Sequence, residues 1–266
     1  MVKKIGFIGC GNMGGAILGG ILKSGLFKPE EVAASDAFET AANAVREQFS
    51  VDACTENRAV AENSEIVLLS VKPQFYAAVI AEIRDLIRED QVVVTIAPGW
   101  TLKRLEEAFG RPVKLVRCMP NTPALVGAGV TAYCQNTLVE KGELDRVVRV
   151  LESFGQAEPI PENLFDMEAA LCGSSPAYVY MMIEAMADAA VHGGIARAQA
   201  YRMAAQALIG SARMVLETGR HPGDLKDMVC SPGGSTIEAV RVLEEKGLRS
   251  SLFEAMLACA DKCSKL

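Results

Sequence analysis

The segment Lys4-Ile5-Gly6-Phe7-Ile8-Gly9-Cys10-Gly11-Asn12-Met13-Gly14 constrains the fold of this chain more than any other. An apolar run that reads as a strand passes, with no linker, through glycines spaced G-x-G-x-x-G into a helical pattern over Met13–Ser24. Asp36 closes the next strand, Val32–Ser35, about twenty residues further on. In this setting the three glycines do different things. Gly9 permits the tight turn, Gly11 lets the backbone approach a pyrophosphate, and Gly14 lets helix and strand pack closely. A lone glycine motif is weak; one that leaves a strand, opens a helix and is followed by an acidic strand end points to a bound dinucleotide.

The alternation continues. Strands near Ile66–Val71, Val92–Ile96, Val113–Cys118 and Gly129–Tyr133 interleave with helices near Thr40–Gln48, Gln74–Ile87 and Thr101–Ala108. This order predicts an α/β domain built on a doubly wound parallel sheet covered on both faces. Ligands of such sheets bind beyond the carboxyl ends of the strands. Three of those ends carry special turns: Val71-Lys72-Pro73-Gln74, Ala97-Pro98-Gly99-Trp100 and Met119-Pro120-Asn121-Thr122-Pro123. The turn-rich Gly155–Pro161 reads as a last short strand and a boundary, which predicts a dinucleotide-binding domain over 1–163.

Residues 164–266 read as an all-helical domain. Ser175-Pro176 places a proline at a helix start, and the helix through Ala190 is rich in Ala and Met nearly all round. Helical patterns recur near Arg197–Glu217, Leu225–Met228, Ser235–Glu245 and Leu252–Ser264. A helix apolar on most faces must be buried, and about a hundred residues can bury only part of such surface alone. A second subunit is the expected cover, giving a homodimer or a larger homo-oligomer of dimers.

A second glycine-rich turn lies in this half. Ser231-Pro232-Gly233-Gly234-Ser235-Thr236 opens an amphipathic helix. Helix starts leave backbone N–H groups unpaired and carry a partial positive charge, so they receive anions. Two such starts imply two ligands, a phosphate-bearing cofactor and a small anionic substrate.

Composition excludes other classes. A net charge of −6 with no block of like charge argues against nucleic acid or an anionic membrane surface as partner. Eight cysteines without a Cys-x-x-Cys pair, and only His192 and His221 beside them, supply no metal-site spacing, so no metal is expected. Scattered thiols at this chain length fit a reducing, cytoplasmic location. The apolar stretch before Cys10 is too short for a secretion signal, and the one after Ala177 is interrupted by Glu184 and Asp188.

Five segments together resemble the pyrroline-5-carboxylate reductase family over nearly the whole chain. They are Gly6 through Met13, Val71-Lys72-Pro73-Gln74, Arg117-Cys118-Met119-Pro120-Asn121-Thr122-Pro123, Gly173-Ser174-Ser175-Pro176-Ala177-Tyr178, and His221-Pro222-Gly223 through Asp227 to Ser231–Thr236. The first is generic to dinucleotide enzymes; the last three, in this order and spacing, are specific. The chain departs from the family pattern at Ala97-Pro98-Gly99, where two alanines usually precede the glycine, and at Ser35-Asp36, where Asn-Arg or Ser-Ser is common.

The resemblance implies a Rossmann domain followed by a helical dimerisation domain. It implies hydride transfer from NADPH or NADH to the C=N carbon of 1-pyrroline-5-carboxylate, giving L-proline. By the same resemblance Thr236 hydrogen-bonds the ring nitrogen, and Ser231, Gly233, Gly234, Ser235 and Thr236 hold the substrate carboxylate. Met119, Pro120 and Asn121 line the nicotinamide and substrate side. Ile8, Gly9, Cys10, Gly11, Asn12, Met13, Ser35, Asp36, Asn57, Val71, Lys72, Pro73, Ala97 and Asn121 surround the dinucleotide. Such chemistry asks for orientation and electrostatics rather than a catalytic triad.

Two other functions fit part of the pattern. A β-hydroxyacid dehydrogenase joins similar domains but needs a lysine from the helical one, and none lies between Lys141 and Lys226. A nonenzymatic dinucleotide sensor has no use for a second anion loop. Of the remaining polar residues, Lys72 reads as a turn lysine acting through its backbone, Tyr178 as a buried helix tyrosine, and Glu184 with Asp188 as structural or interfacial. His221 reads as a turn residue and His192 as a helix-end histidine.

Overall fold

The apolar runs become the strands of one eight-stranded sheet, ordered β3-β2-β1-β4-β5-β6-β7-β8 in the computed structural model, which describes residues 2–265. The strands are β1 (Lys3–Ile8), β2 (Val32–Ser35), β3 (Asp52–Cys54), β4 (Ser64–Leu69), β5 (Val92–Thr95), β6 (Lys114–Pro120), β7 (Gly129–Gln135) and β8 (Gly155–Pro159). Helices α1 (Asn12–Ser24), α2 (Glu39–Phe49), α3 (Asn57–Glu62), α4 (Tyr76–Ile83), α5 (Leu102–Phe109) and α6 (Lys141–Glu152) lie between them. Side chains on one face of the sheet, Phe7, Ile66, Leu68 and Val94, pack with Ile17, Ile21 and Phe154; those on the other, Ile8, Val67, Leu69 and Val93, pack with Tyr76, Ile80 and Leu105. Both faces are therefore covered, as continuous hydrophobic strands require.

Four readings change. The sheet is mixed, because β7 runs antiparallel to β6. The link between them is only residues 121–128, with a 3₁₀ turn over Thr122–Val126, whereas a parallel return needs a crossover of about a dozen residues or more. Three elements were not read from the sequence: β3 and α3, too short to show a period, and α6, whose Val147, Val150 and Leu151 form a buried stripe. The expected helix from Gln74 starts at Tyr76, after a 3₁₀ turn over Pro73–Phe75, and ends at Ile83. The chain divides into compact units after Gly173 rather than after Asn163, and residues from 259 onward group with the first unit. The segment before Gly173 belongs to the sheet: Phe165 is buried with Met119 and Ala132, and Glu162 pairs with Arg117 of β6 at 2.9 Å.

In that segment, α7 (Phe165–Glu168) continues into a π-helical turn over Ala169–Gly173. The second unit, 174–258, holds α8 (Ser175–His192), α9 (Arg197–Thr218), α10 (Pro222–Met228), α11 (Ser235–Glu245) and most of α12 (Leu248–Cys263). Taken as a single chain it buries only Ala187, Ala200 and Ala204 among its described hydrophobic residues, while Tyr180 (58% exposed), Met181 (68%) and Leu216 (70%) stand open. That much apolar surface marks an association face.

Candidate active site

The order of the strands places a switch point at β1. The chain runs outward through β2 and β3, then returns to β4 on the other side, and ligands of doubly wound sheets bind outside the strand ends at such a point. Here Gly9 turns with φ +102°, and its N–H donates to Ser35 O at 2.8 Å. A Cβ on Gly9 would lie 2.7 Å from Val71 N, and one on Gly14 would lie 2.6 Å from Gly9 O and 2.9 Å from Ser70 Oγ. Both glycines are required by close packing. Gly11 differs: a Cβ there would meet nothing within 4 Å. Gly11 is the N-cap of α1, with no side chain capping the first turn and no acidic residue in it. Open space in front of uncapped N–H groups is what a pyrophosphate needs.

Asp36 follows β2 and is tied to this loop. Its Oδ2 accepts the Cys10 N–H at 2.8 Å and its Oδ1 accepts the Phe38 N–H at 3.0 Å. Burial, followed by the charge of Asp36, pushes the Cys10 thiol up to about 12, so it is no nucleophile. Ser35, expected at the cofactor, is fully buried, with its hydroxyl donating to Asn57 Oδ1 at 2.9 Å; the Asn57 amide donates to Glu82. These two side chains brace the β2 end. Ile8 is fully buried and supports the loop by packing alone.

The ends of β4 and β5 are held by a residue that sequence reasoning passed over. Tyr76 is buried; its hydroxyl donates to Leu69 O at 2.5 Å and accepts from Thr95 Oγ1 at 3.0 Å and Ile96 N at 3.3 Å. Burial pushes its phenol up, so it stays a neutral pin. Its ring lies 5.2 Å from that of Trp100, whose indole N–H donates to Pro73 O at 3.1 Å. Tyr76 and Trp100 thus set Val71-Lys72-Pro73 and buried Ala97 beside each other. Both were visible as a tyrosine and the lone tryptophan next to the proline turns.

At the β6 end, Met119 and Asn121 are both 8% exposed. The Asn121 amide donates to Cys172 O at 3.0 Å, and its Oδ1 accepts the Val130 N–H at 3.0 Å. Its side chain is a brace between turns, and its carbonyl accepts the Ala124 N–H at 3.1 Å. Arg117, 4% exposed, stacks over Phe165 at 4.4 Å and donates to Glu162, whose Oε1 also accepts the Leu102 N–H at 2.7 Å. Glu168 is buried, with the Cys172 thiol beside its carboxylate. Burial raises its pKa to about 7, with the neighbouring Cys172 thiol opposing the rise.

In the second unit Gly233 takes φ +67° and the Gly234 N–H donates to Ser231 O at 3.0 Å, closing a turn. Gly234 is the N-cap of α11 and offers no side-chain cap, so the first-turn N–H groups and the Ser235 and Thr236 hydroxyls stand at an open helix start. Upstream, His221 accepts the Gly223 N–H on Nδ1 at 3.0 Å and caps α10, as its turn position suggested. Asp188 pairs with Arg197. A surface cleft of about 860 Å³ lies instead at the amino ends of the strands. There Lys3 is already paired with Asp52 at 3.4 Å and with Glu30 O at 3.0 Å, away from the strand ends where ligands of this fold bind.

Known proteins match at both levels. Residues 162–266 match the family model for pyrroline-5-carboxylate reductase dimerisation, and residues 4–99 that for coenzyme F420-dependent NADP oxidoreductases. The chain is 52% identical to pyrroline-5-carboxylate reductase of Escherichia coli K12 over 100% of its own length and 99% of the relative's. The solved pyrroline-5-carboxylate reductase of Coxiella burnetii superposes with a TM-score of 0.93 at 31% identity, covering 100% of this chain and 98% of that one. The Plasmodium falciparum enzyme, solved with NADP bound, gives 0.88 at 30%, covering 98% and 97%. With the glycine cradle at β1, the proline turns at β4 and β6 and the open start of α11 all in place, this chain belongs to the pyrroline-5-carboxylate reductase family.

Proposed function

We infer that the chain reduces 1-pyrroline-5-carboxylate to L-proline with hydride from NADPH or NADH. The observation that carries this reading is the presence, in one chain, of two uncapped helix starts of different design. The Gly11 cradle, with empty space before its N–H groups, fits a pyrophosphate; the hydroxyl-rich start of α11 fits a small carboxylate. Full-length similarity to the E. coli reductase supports the same pairing.

A reduced nicotinamide, when bound, supplies the hydride. The chain's part is binding and orientation. Gly9 through Met13 receive the pyrophosphate, Asp36 the adenosine ribose, and the backbone at Val71–Pro73, Ala97 and Met119–Asn121 the rest of the dinucleotide. Ser231 through Thr236 hold the substrate carboxylate on backbone N–H groups and hydroxyls. The Thr236 hydroxyl hydrogen-bonds the ring nitrogen. As hydride adds to the C=N carbon, the displaced electron pair settles on that nitrogen, which takes up one proton from solvent. A hydroxyl placed there stabilises the change and fixes the ring, a proximity contribution.

The open apolar face of the second unit and the dimerisation family match support a homo-oligomer, and within it a homodimer as the repeating pair. No described helix is long and apolar enough to cross a membrane; similarity to the E. coli reductase supports work in the cytoplasm. The test is oxidation of NADPH or NADH by purified protein with pyrroline-5-carboxylate, with proline identified as product. Cofactor oxidation that needs a keto acid instead, or reduction of NADP+ or NAD+ by a hydroxy acid, would replace this reading with the dehydrogenase one.

A further inference from the structure

We propose that the dinucleotide end of this chain selects NADH over NADPH, with Asp36 as the discriminating residue. The proposal rests on the dinucleotide reading above and goes beyond it, to which of the two cofactors is preferred.

In this fold the adenosine ribose lies at the end of β2, and an acidic residue there accepts from its hydroxyls. Asp36 occupies that position and cannot swing aside. Each carboxylate oxygen already accepts one backbone N–H, from Cys10 at 2.8 Å and Phe38 at 3.0 Å. Each keeps a lone pair free for a ribose diol. A 2′-phosphate would meet that fixed negative charge instead. A second one stands nearby: Glu39 is in the first turn of α2, the helix end that would otherwise favour an anion.

The arginines that could offset them are engaged elsewhere, and Lys72 is distant. Arg46 donates to Asn43 Oδ1 at 2.9 Å and to Ala53 O. Arg58 donates to Glu82 O at 3.4 Å. Lys72 follows β4, across β1 from β2, so two strand spacings, about 10 Å, separate the backbones. A cleft of about 600 Å³ beside the loop, lined by Cys10, Gly11, Asn12, Ala41, Ala44 and Gln48 among others, has no charged side chain in its wall.

The test is calorimetric titration of the purified protein with NADH and with NADPH, in the absence of substrate, for wild type, Asp36→Ser and Asp36→Asn. The asparagine keeps an acceptor for the loop if the serine variant folds poorly. NADH should bind wild type at least tenfold more tightly than NADPH, and either variant should narrow that ratio about tenfold. Equal or tighter NADPH binding by wild type, or a ratio unmoved in Asp36→Asn, would overturn the selection while leaving dinucleotide binding intact. Selective loss of NADPH affinity in Lys72→Ala would also overturn it, by showing a cation on the 2′-phosphate. Binding of neither dinucleotide would overturn the parent reading as well.

Discussion

Gly11 and Gly14 are three residues apart in one motif, yet the structure assigns them opposite sensitivities to a single added methyl group. At Gly14 a Cβ would sit 2.6 Å from the Gly9 carbonyl oxygen and 2.9 Å from Ser70 Oγ. A backbone carbonyl cannot rotate away as a flexible side chain can, so helix α1 must shift from the sheet. Overpacking of this kind costs ~1–3 kcal/mol, offset by ~1 kcal/mol of helix propensity gained from alanine. Because the clash falls on a backbone carbonyl, the cost lies in the upper part of that range, so Gly14→Ala should lower stability by about 1–2 kcal/mol net, a fall of roughly 2–8 °C in Tm for a chain of this size. At Gly11 the Cβ meets nothing, and the residue's φ of −67° suits any amino acid, so Gly11→Ala should leave Tm within about a degree of wild type. The same methyl fills the space in front of the α1 N–H groups. Dinucleotide affinity should fall at least tenfold, about 1.4 kcal/mol. Thermal unfolding without ligand, paired with fluorescence titration of NADH, reads both. Wild-type affinity in Gly11→Ala, or wild-type Tm in Gly14→Ala, would refute the division of roles.

Three further outcomes are expected. Thr236→Ala should lower kcat/KM by about ten- to a hundredfold, ~1–3 kcal/mol for one hydrogen bond in the site, with folding unchanged; wild-type kinetics would remove Thr236 from the substrate. Met181→Glu places a charge on a side chain 68% exposed in the single chain, so it should be harmless to a monomer and should dissociate an assembly that covers it, as sedimentation would show. Glu168 has its folded pKa raised to about 7 from an ordinary value of 4.5. Its contribution is thus fully favourable below about 4.5 and is lost as pH rises through 7. Glu168→Gln should gain stability relative to wild type between about pH 5 and pH 8, by at most ~3 kcal/mol; parallel Tm profiles would show that Glu168 is solvated or paired.

What could be read from the chain divides along physical lines. The roles of Gly9, Gly11 and Gly14 follow from local geometry, so a strand, a turn and a helix in sequence were enough to state them. The antiparallel β7 was missed because its signal is the length of a connection rather than any residue's preference. Resemblance assigns Ser35 and Asn121 to ligands, while the Ser35 hydroxyl holds the Asn57 side chain and the Asn121 amide braces backbone, uses visible only when Asn57, Val130 and Cys172 come into reach. Tyr76 has the same history: its hydroxyl matters because β4 and β5 end on either side of it. Glu168 carries no local mark of burial, and only the packing of α7 against the sheet makes it a buried carboxyl.

The central claim is that hydride passes from a reduced nicotinamide to the ring C=N carbon. Incubating the protein with pyrroline-5-carboxylate and reduced cofactor carrying deuterium on the transferred face of nicotinamide C4 tests it directly. The account expects one deuterium per molecule of proline, located by NMR on the former C=N carbon, with the unlabelled face of the cofactor giving none. Proline formed without deuterium from either face, or deuterium at any other carbon, would contradict it.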